Sequence, residues 1–393
     1  MAASCIALTV FSILVTLLWI SRHVLISQQQ SSERMLGPDS PGPGEDPPFV
    51  SVLVAAKDEE DCIEQCVRSM LDQDYPNFEM IVCNDRSDDN TAAIVEKIAA
   101  EDSRLKLVNI EHLPDGWCGK NNAMQTGIKQ AKGQWICMID ADCRQTSNRT
   151  LSVAVEHARK NDIELFSILP DLEMKGFWEK AIQPVCSGVM MIWFSPDKVN
   201  NPKKSNAYAN GAFMLIRRET YEAVGTHEAV KDQVNEDMHM ADIVKSSGRK
   251  LRVLRSDGLY KVRMYTSFKQ IIRGWSRIFF GTFGTLKRLT ISFLLMAIMG
   301  LLPYVAALVG LLGYSAGGSA TALACGIAGL AGVTMQLSVI YRYYRLLGNA
   351  GALALTYSMA CIITLVVIVI SMTKLRPGAT VTWKSTSYAK TKT

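Results

Sequence analysis

No two of the ten cysteines stand in a C-x-x-C pair, and none lies in a cluster with histidine. Neither a zinc site nor a disulfide framework is indicated, and a reducing compartment suits such usage. The five histidines, at 23, 112, 157, 227 and 239, form no pair at ligand spacing, so His239 is given no role although it lies beside acids. No G-x-G-x-x-G follows the first strand, and no glycine-rich Lys-Ser/Thr loop occurs. That sets aside a dinucleotide redox enzyme and a P-loop ATPase. Acids are scarce in one stretch: residues 245–288 hold twelve Lys or Arg against Asp257 alone. Such a block suits an anionic surface. The apolar run Cys5–Ile20 lacks a basic n-region and a small-residue cleavage site, with Arg22 and His23 coming next. It reads as an uncleaved anchor, residues 1–26.

The 393 residues are 48% hydrophobic, enough for one catalytic-size domain and a membrane part. Apolar stretches at 290–313, 319–341 and 352–373 are each long enough to cross a hydrocarbon core of about 30 Å. They delimit C-terminal transmembrane helices over 289–373, followed by a basic tail, 374–393. Residues 27–48 are a linker whose Pro and Gly content opposes regular structure. From 49 to 265, β-branched runs ("FVSVLVAA", "FEMIVCND", "KLVNI", "QWICMID", "IELFSIL") alternate with helical periodicity, the pattern of an α/β domain with a mostly parallel sheet. The sheet is expected to end near Leu169, with long helices at 173–194 and 232–247 bracketing the short strand "FMLIRR". Residues 266–288 interleave Phe268, Ile271, Ile272, Trp275, Phe279 and Phe280 with Lys269, Arg273 and Arg277, as in an amphipathic helix at a membrane interface.

Acids close several strands: Asp58 follows "SVLVAAK", Asp85 ends "MIVCND", and Asp140 and Asp142 end "CMIDAD". Ligands of open parallel sheets bind at the carboxyl ends of strands, so these acids are expected to share one crevice. Asp140 and Asp142 are two apart and project together, and carboxylates that close repel unless a cation lies between them. Oxygen-only ligands favour Mg2+ or Mn2+, which complete their shells with substrate phosphates.

The opening "SVLVAAKDEEDCIEQCVRSMLDQDYPNFEMIVCNDRSDDNT", with "GWCGKNNAMQTG", "MIDADC" and "VNEDMHMADIVKSSG", resembles the family 2 glycosyltransferases of GT-A fold over residues 49–280. One anchor before the domain and a few spans after it are most similar to ceramide glucosyltransferase-like enzymes and their hopanoid- and carotenoid-associated relatives, as is the tail "VTWKSTSY". The resemblance implies a nucleotide-sugar donor, with UDP-glucose the first choice, and a lipid hydroxyl acceptor in the bilayer. No nucleic-acid partner is implied. It puts Asp58, Glu60 and Asp85 on the donor, Lys120 near its diphosphate, Asp140 at the sugar or nucleotide, and Asp142 on the metal. Asp237 becomes the general base and Glu236 its helper. Asp237 falls in register with Met240, Ala241 and Val244, so it is expected to point inward with Glu236 nearer solvent. Where family members carry Q-x-x-R-W, this chain reads "QIIRGW". The resemblance puts Arg273 on the leaving diphosphate of the donor, and Gln270 and Trp275 at the interface on the acceptor side. Gly274 turns Trp275 by roughly 100° from the usual pair, which leaves interfacial anchoring as its alternative role.

The expected activity is inverting transfer of one sugar to a membrane lipid. A processive polysaccharide synthase and a polyisoprenyl-phosphate sugar transferase are the alternatives, and an inactive scaffold is disfavoured because no acid of the set, nor Lys120, is lost. Arg22 and His23 after the first anchor put the catalytic domain in the cytoplasm. Three further crossings would then leave Lys374, Arg376, Lys384, Lys390 and Lys392 outside, against the positive-inside bias, unless one late segment is re-entrant or the short tail tolerates its charge.

Overall fold

The computed structural model describes residues 2–28, 35–376, 380–383 and 386–389. They fall into two units: a helix bundle from Met1–Ser31, Met174–Ile192 and Tyr265–Ala379, and a sheet unit from Ser32–Glu173, Trp193–Met264 and Thr380–Thr393. The chain opens with α1 (Ala2–Gln28) of the bundle and passes to β1 (Met35–Leu36).

The sheet unit continues with β2 (Val50–Ala56), α2 (Ile63–Leu71), β3 (Phe78–Asp85), α3 (Thr91–Glu101), β4 (Leu105–Ile110), α4 (Gly119–Ile128), β5 (Trp135–Asp140), β6 (Cys143–Gln145), α5 (Thr150–Lys160), β7 (Leu165–Leu169) and β8 (Asp171–Leu172). After α6 (Phe177–Phe194), most of which belongs to the bundle, come α7 (Pro196–Val199), β9 (Met214–Arg217), α8 (Arg218–Ala223), α9 (Glu236–Ser246), β10 (Leu251–Ser256) and β11 (Tyr260–Val262). Eight strands pair in the order β1-β10-β7-β9-β5-β2-β3-β4, while β6, β11 and β8 form a second small sheet. All eight residues of β3 are buried, as expected of a strand covered on both faces. The apolar positions of α2, namely Ile63, Cys66, Val67, Met70 and Leu71, are all buried.

Two expectations fail here. The sheet does not end at Leu169: β9 inserts antiparallel between β5 and β7, and β10 adds parallel to β7. The short strand expected at "FMLIRR" is present as β9, but nothing in the βα alternation that signals a parallel sheet tells that it inserts antiparallel within it. Within the linker, Met35 and Leu36 pair parallel with Arg255 and Ser256, and a two-residue strand is too short to show periodicity.

The bundle resumes with α10 (Phe268–Phe283), α11 (Leu286–Gly317), α12 (Ala320–Leu346), a 3-10 segment (Gly351–Thr356) and α13 (Tyr357–Thr373); a hairpin of β12 (Thr380–Trp383) and β13 (Thr386–Ala389) lies beyond. Ala2–Ser27, Leu286–Gly317, Ala320–Leu346 and Gly351–Thr373 are apolar and long enough to cross a membrane. α11 and α12 run antiparallel in close contact: a Cβ on Gly310 would strike the Gly326 backbone, and one on Gly329 the Ala307 backbone. Small residues allow that approach between apolar helices. Pro303 has no N–H for the carbonyl of Met299. The indole of Trp19 from α1 and the amide of Gln336 from α12 donate to that oxygen instead, at 3.0 and 2.7 Å.

The direction of α13 follows from two contacts. A Cβ on Gly300 of α11 would meet Cys361 Sγ at 2.7 Å, and Ser371 Oγ donates to the Ser276 carbonyl at 3.1 Å. Ser276 precedes the start of α11 by only ten residues. So from the level of Gly300, α13 runs back toward the start of α11, parallel to α12.

Candidate active site

β5, β2 and β3 are adjacent and parallel, so their carboxyl ends bring Asp140, Asp58 and Asp85 to one edge. Beyond β2 and β3, Asp58 and Arg86 hold left-handed backbone, with φ of 52° and 55°. Non-glycine residues are held there only by surrounding bonds. Buried Lys57 donates to the Arg86 carbonyl at 2.8 Å, Asp58 Oδ1 accepts from Asp88 N at 2.9 Å, and Asp58 N donates to Ser87 Oγ at 3.0 Å. Glu60 accepts from Asn90 Nδ2 at 2.8 Å. Asp85 is buried, and its two oxygens take a forked pair from Arg86 at 2.8 and 3.1 Å.

Lys120 is the centre of the site. Its side chain is 18% exposed, and Nζ lies 2.6 Å from both Asp140 Oδ1 and Glu236 Oε1. Burial alone would lower its proton affinity, but Asp140, Glu236 and Asp237 together raise it well above the ordinary lysine value. Neighbouring Asn121, fully buried, donates through Nδ2 to the carbonyls of Val230, Lys231 and Gln233 at 2.6, 3.1 and 2.9 Å. Those bonds tie the start of α4 to the loop before α9. Gly211 closes the far wall: its N–H donates to Asp237 Oδ2 at 2.8 Å, and a Cβ there would lie 2.9 Å from Lys120 Nζ.

The orientation expected for the acidic pair is corrected. Glu236, with its side chain 8% exposed, is the more enclosed of the two and grips Lys120, while Asp237 also faces the site through Gly211. Both side chains leave the first turn of α9, where an ion pair to Lys120 and a backbone N–H from Gly211 draw them to one place regardless of helical register. Asp237 Oδ1 accepts from Met238 N at 2.7 Å. Burial, and then the Glu236 charge, push the Asp237 carboxyl up to about 7.

Asp142 lies just past β5. Burial, followed by Asp140 and Glu59, pushes its carboxyl up to about 7 against the pull of Lys120, and its Oδ1 is buried with no hydrogen-bond partner. Among the described residues no three His, Cys, Asp or Glu gather closely enough to cage an ion unaided. The buried thiols of Cys66 and Cys143 also lie near Asp142, both pushed up by burial first and so held as neutral thiols, which leaves the carboxylates of Asp142 and Asp140 as the donors. An orphaned buried carboxylate oxygen there fits Mg2+ or Mn2+ held by one or two carboxylates and substrate oxygens.

Gln270, Arg273 and Trp275 lie on α10 in the bundle unit. Gln270 Oε1 accepts from Thr266 N at 2.9 Å, and Arg273 is exposed. The apolar stripe departs from expectation: Ile271, Trp275 and Phe279 are buried within the bundle. An apolar helical face packs on a protein neighbour as readily as on lipid, and the stripe alone cannot distinguish them. Gly274 has a local reason, because a Cβ there would collide with the Tyr265 ring.

Residues 51–225 match the model for Glycosyl transferase family 2. The chain carries a family 2 glycosyltransferase domain. A beta-monoglucosyldiacylglycerol synthase of Trichormus variabilis is 27% identical over 194 residues, 48% of this chain and 40% of that protein. A 4,4'-diaponeurosporenoate glycosyltransferase of Staphylococcus aureus is 25% identical over 233 residues, 58% of this chain and 60% of that protein. The match therefore spans about half the length of these relatives. A mannosyltransferase from Pyrobaculum calidifontis, solved with GDP-Man and Mn2+, superposes with a TM-score of 0.56 at 19% identity over 94% of this chain and 98% of that one. That likeness establishes the GT-A type of fold for the family 2 domain. Within it, Lys57, Asn121 and Gly211 escaped the reading of the sequence; the "NG" before "AFMLIRR" was the available signal for Gly211.

Proposed function

We propose that the chain moves one sugar from a nucleotide-sugar donor to the hydroxyl of a membrane lipid, with inversion at the anomeric carbon. The observation that carries this reading is the division of labour around Lys120. Asp140 and Glu236 engage the lysine, whereas Asp237 is held by backbone N–H groups and keeps a raised proton affinity. A lipid alcohol is a poor nucleophile until its proton is taken, and Asp237 is the group poised to take it. Lys120 offsets the negative charge of the donor diphosphate, with Asp58, Glu60 and Asp85 toward the base and ribose. Asp142 would hold Mg2+ or Mn2+, which when bound stabilises the departing diphosphate as a Lewis acid. Attack and departure served from opposite faces invert the configuration. The lipid and carotenoid acceptors named for the relatives, and the GDP-Man and Mn2+ of the structural neighbour, support donor, metal and acceptor class.

The test is to offer the full chain, in detergent with mixed lipids, labelled UDP-glucose and other nucleotide sugars, and to extract the product. A lipid bearing a single sugar of inverted configuration is expected. A polymer, a sugar on a polyisoprenyl phosphate, or a retained configuration would each overturn the proposal.

A further inference from the structure

Residues 224–235, between α8 and α9, deliver Glu236 and Asp237 to Lys120 with little regular structure of their own. The segment enters through Gly225 and Thr226, both in left-handed backbone at φ of 92° and 58°, and makes one short 3-10 turn, His227–Val230. Such a stretch keeps a single course only where the rest of the fold holds it. Here α4 does the holding. Gln125 Oε1 accepts from His227 N at 3.1 Å, and one turn earlier Asn121 Nδ2 reaches the carbonyls of Val230, Lys231 and Gln233. A backbone bond adds to these, from Cys118 N just before α4 to the Lys231 carbonyl at 2.7 Å.

Asn121 holds the part nearest the acids, since Gln233 stands only two residues before Asn235, which caps α9. Its two amide hydrogens serve three carbonyls, while its Oδ1 is buried with no donor among the described residues. A buried acceptor left unpaired is unfavourable, so this amide is present for what it donates. Turned over, it would set its oxygen against three others. Adjacent residues of α4 thus act on the same acids by two routes. Lys120 does so directly, through its ion pair with Glu236 at 2.6 Å, and Asn121 does so through the backbone that leads into α9. In the donor complex proposed above the direct route is lost, because a lysine drawn to the diphosphate leaves Glu236 without its cation. The grip of Asn121 on the loop carbonyls does not involve the donor and persists.

We propose that Asn121 is a positioning residue for the transfer reaction: it fixes residues 230–235 so that Asp237 stays on the Gly211 N–H while Lys120 engages the donor. It touches neither substrate nor reacting atoms. The inference rests on the proposed transfer and adds to it a requirement for hydrogen-bond donors at position 121. Packing of a buried side chain would require only its volume.

The test is steady-state transfer by the full chain in detergent, with Asn121→Asp, which keeps the volume and removes the donors, beside Asn121→Ala, which removes both. Melting temperatures and hydrogen exchange are followed throughout. Each variant is expected to lose about 10- to 100-fold in kcat with donor KM and calorimetric nucleotide affinity unchanged. Exchange should rise over residues 224–240 and not elsewhere in the sheet unit. Should Asn121→Asp fail to fold, Asn121→Ala carries the same comparisons. Parent-like turnover in a folded variant would overturn the proposal, as would a loss in Asn121→Ala that Asn121→Asp does not share. Weakened nucleotide binding in step with turnover would place Asn121 on the donor instead. A parent chain that yields no lipid product would refute the transfer reading; unchanged exchange over residues 230–238 in the variants would refute the positioning role whatever the product.

Discussion

Asp237 has both oxygens on backbone N–H groups and a carboxyl pushed up to about 7 by burial and Glu236. A base works only when ionised, so kcat/KM should fall about tenfold per pH unit below that value. Asp237→Asn should cost roughly 10²- to 10⁴-fold in turnover and abolish this acid limb. Rate profiles between about pH 5.5 and 8.5 check it, and an Asn variant that kept the limb would place the base elsewhere. The sign for stability is opposite. A carboxyl whose folded pKa exceeds the unfolded value of about 3.9 stabilises the fold at low pH, and that contribution is lost as pH rises through about 7. Asp237→Asn removes this pH term while turning an amide NH2 toward one of the two backbone N–H donors, so its melting temperature relative to the parent chain should rise between about pH 5 and pH 8. Gly211 makes a second case, since a Cβ 2.9 Å from Lys120 Nζ must displace the lysine. Gly211→Ala should lose on the order of 10- to 100-fold in turnover with little change in melting temperature. Asp142→Asn should raise the Mn2+ concentration needed for nucleotide binding, read by titration calorimetry; an unchanged requirement would remove Asp142 from the metal.

Among the helices, Pro303 creates a demand that two others meet. The Met299 oxygen receives Trp19 Nε1 and Gln336 Nε2, so α1, α11 and α12 are joined at one carbonyl. In apolar surroundings an interhelical hydrogen bond is worth about 0.6 to 2 kcal/mol, whereas a backbone group left unsatisfied costs several. Gln336→Leu alone should lower the melting temperature in detergent modestly. Combined with Trp19→Phe, the loss should exceed the sum of the two single changes, because the carbonyl then has no donor. Strict additivity would mean that water or a backbone shift supplies the missing bond.

For the molecule as a whole, the return of α13 bears on sidedness. With α12 and α13 parallel, Lys374 and Arg376 leave the bundle at the end where α11 begins with Lys287 and Arg288, and the segment Gly351–Thr373 need not cross. Such a re-entrant arrangement satisfies the positive-inside bias that three further crossings would violate. A cysteine placed at Arg376 should resist an impermeant thiol reagent in intact cells, while one placed at Gly318 should react. Labelling at 376 from outside would show that the segment crosses.

The parallel strands, the α2 face, the four long apolar helices and the acids at strand ends were legible in the sequence, because burial imposes periods of 2 and 3.6 on short windows. Motif resemblance reached the family 2 domain and led to Lys120. Contacts formed between distant segments were not legible. The β9 insertion, the burial of Glu236 against Lys120, the need for glycine at 211 and 274, and the direction of α13 each depend on which surfaces meet across tens of residues. No local pattern records that choice, since the same apolar stripe or acidic pair satisfies several neighbours equally until packing selects one.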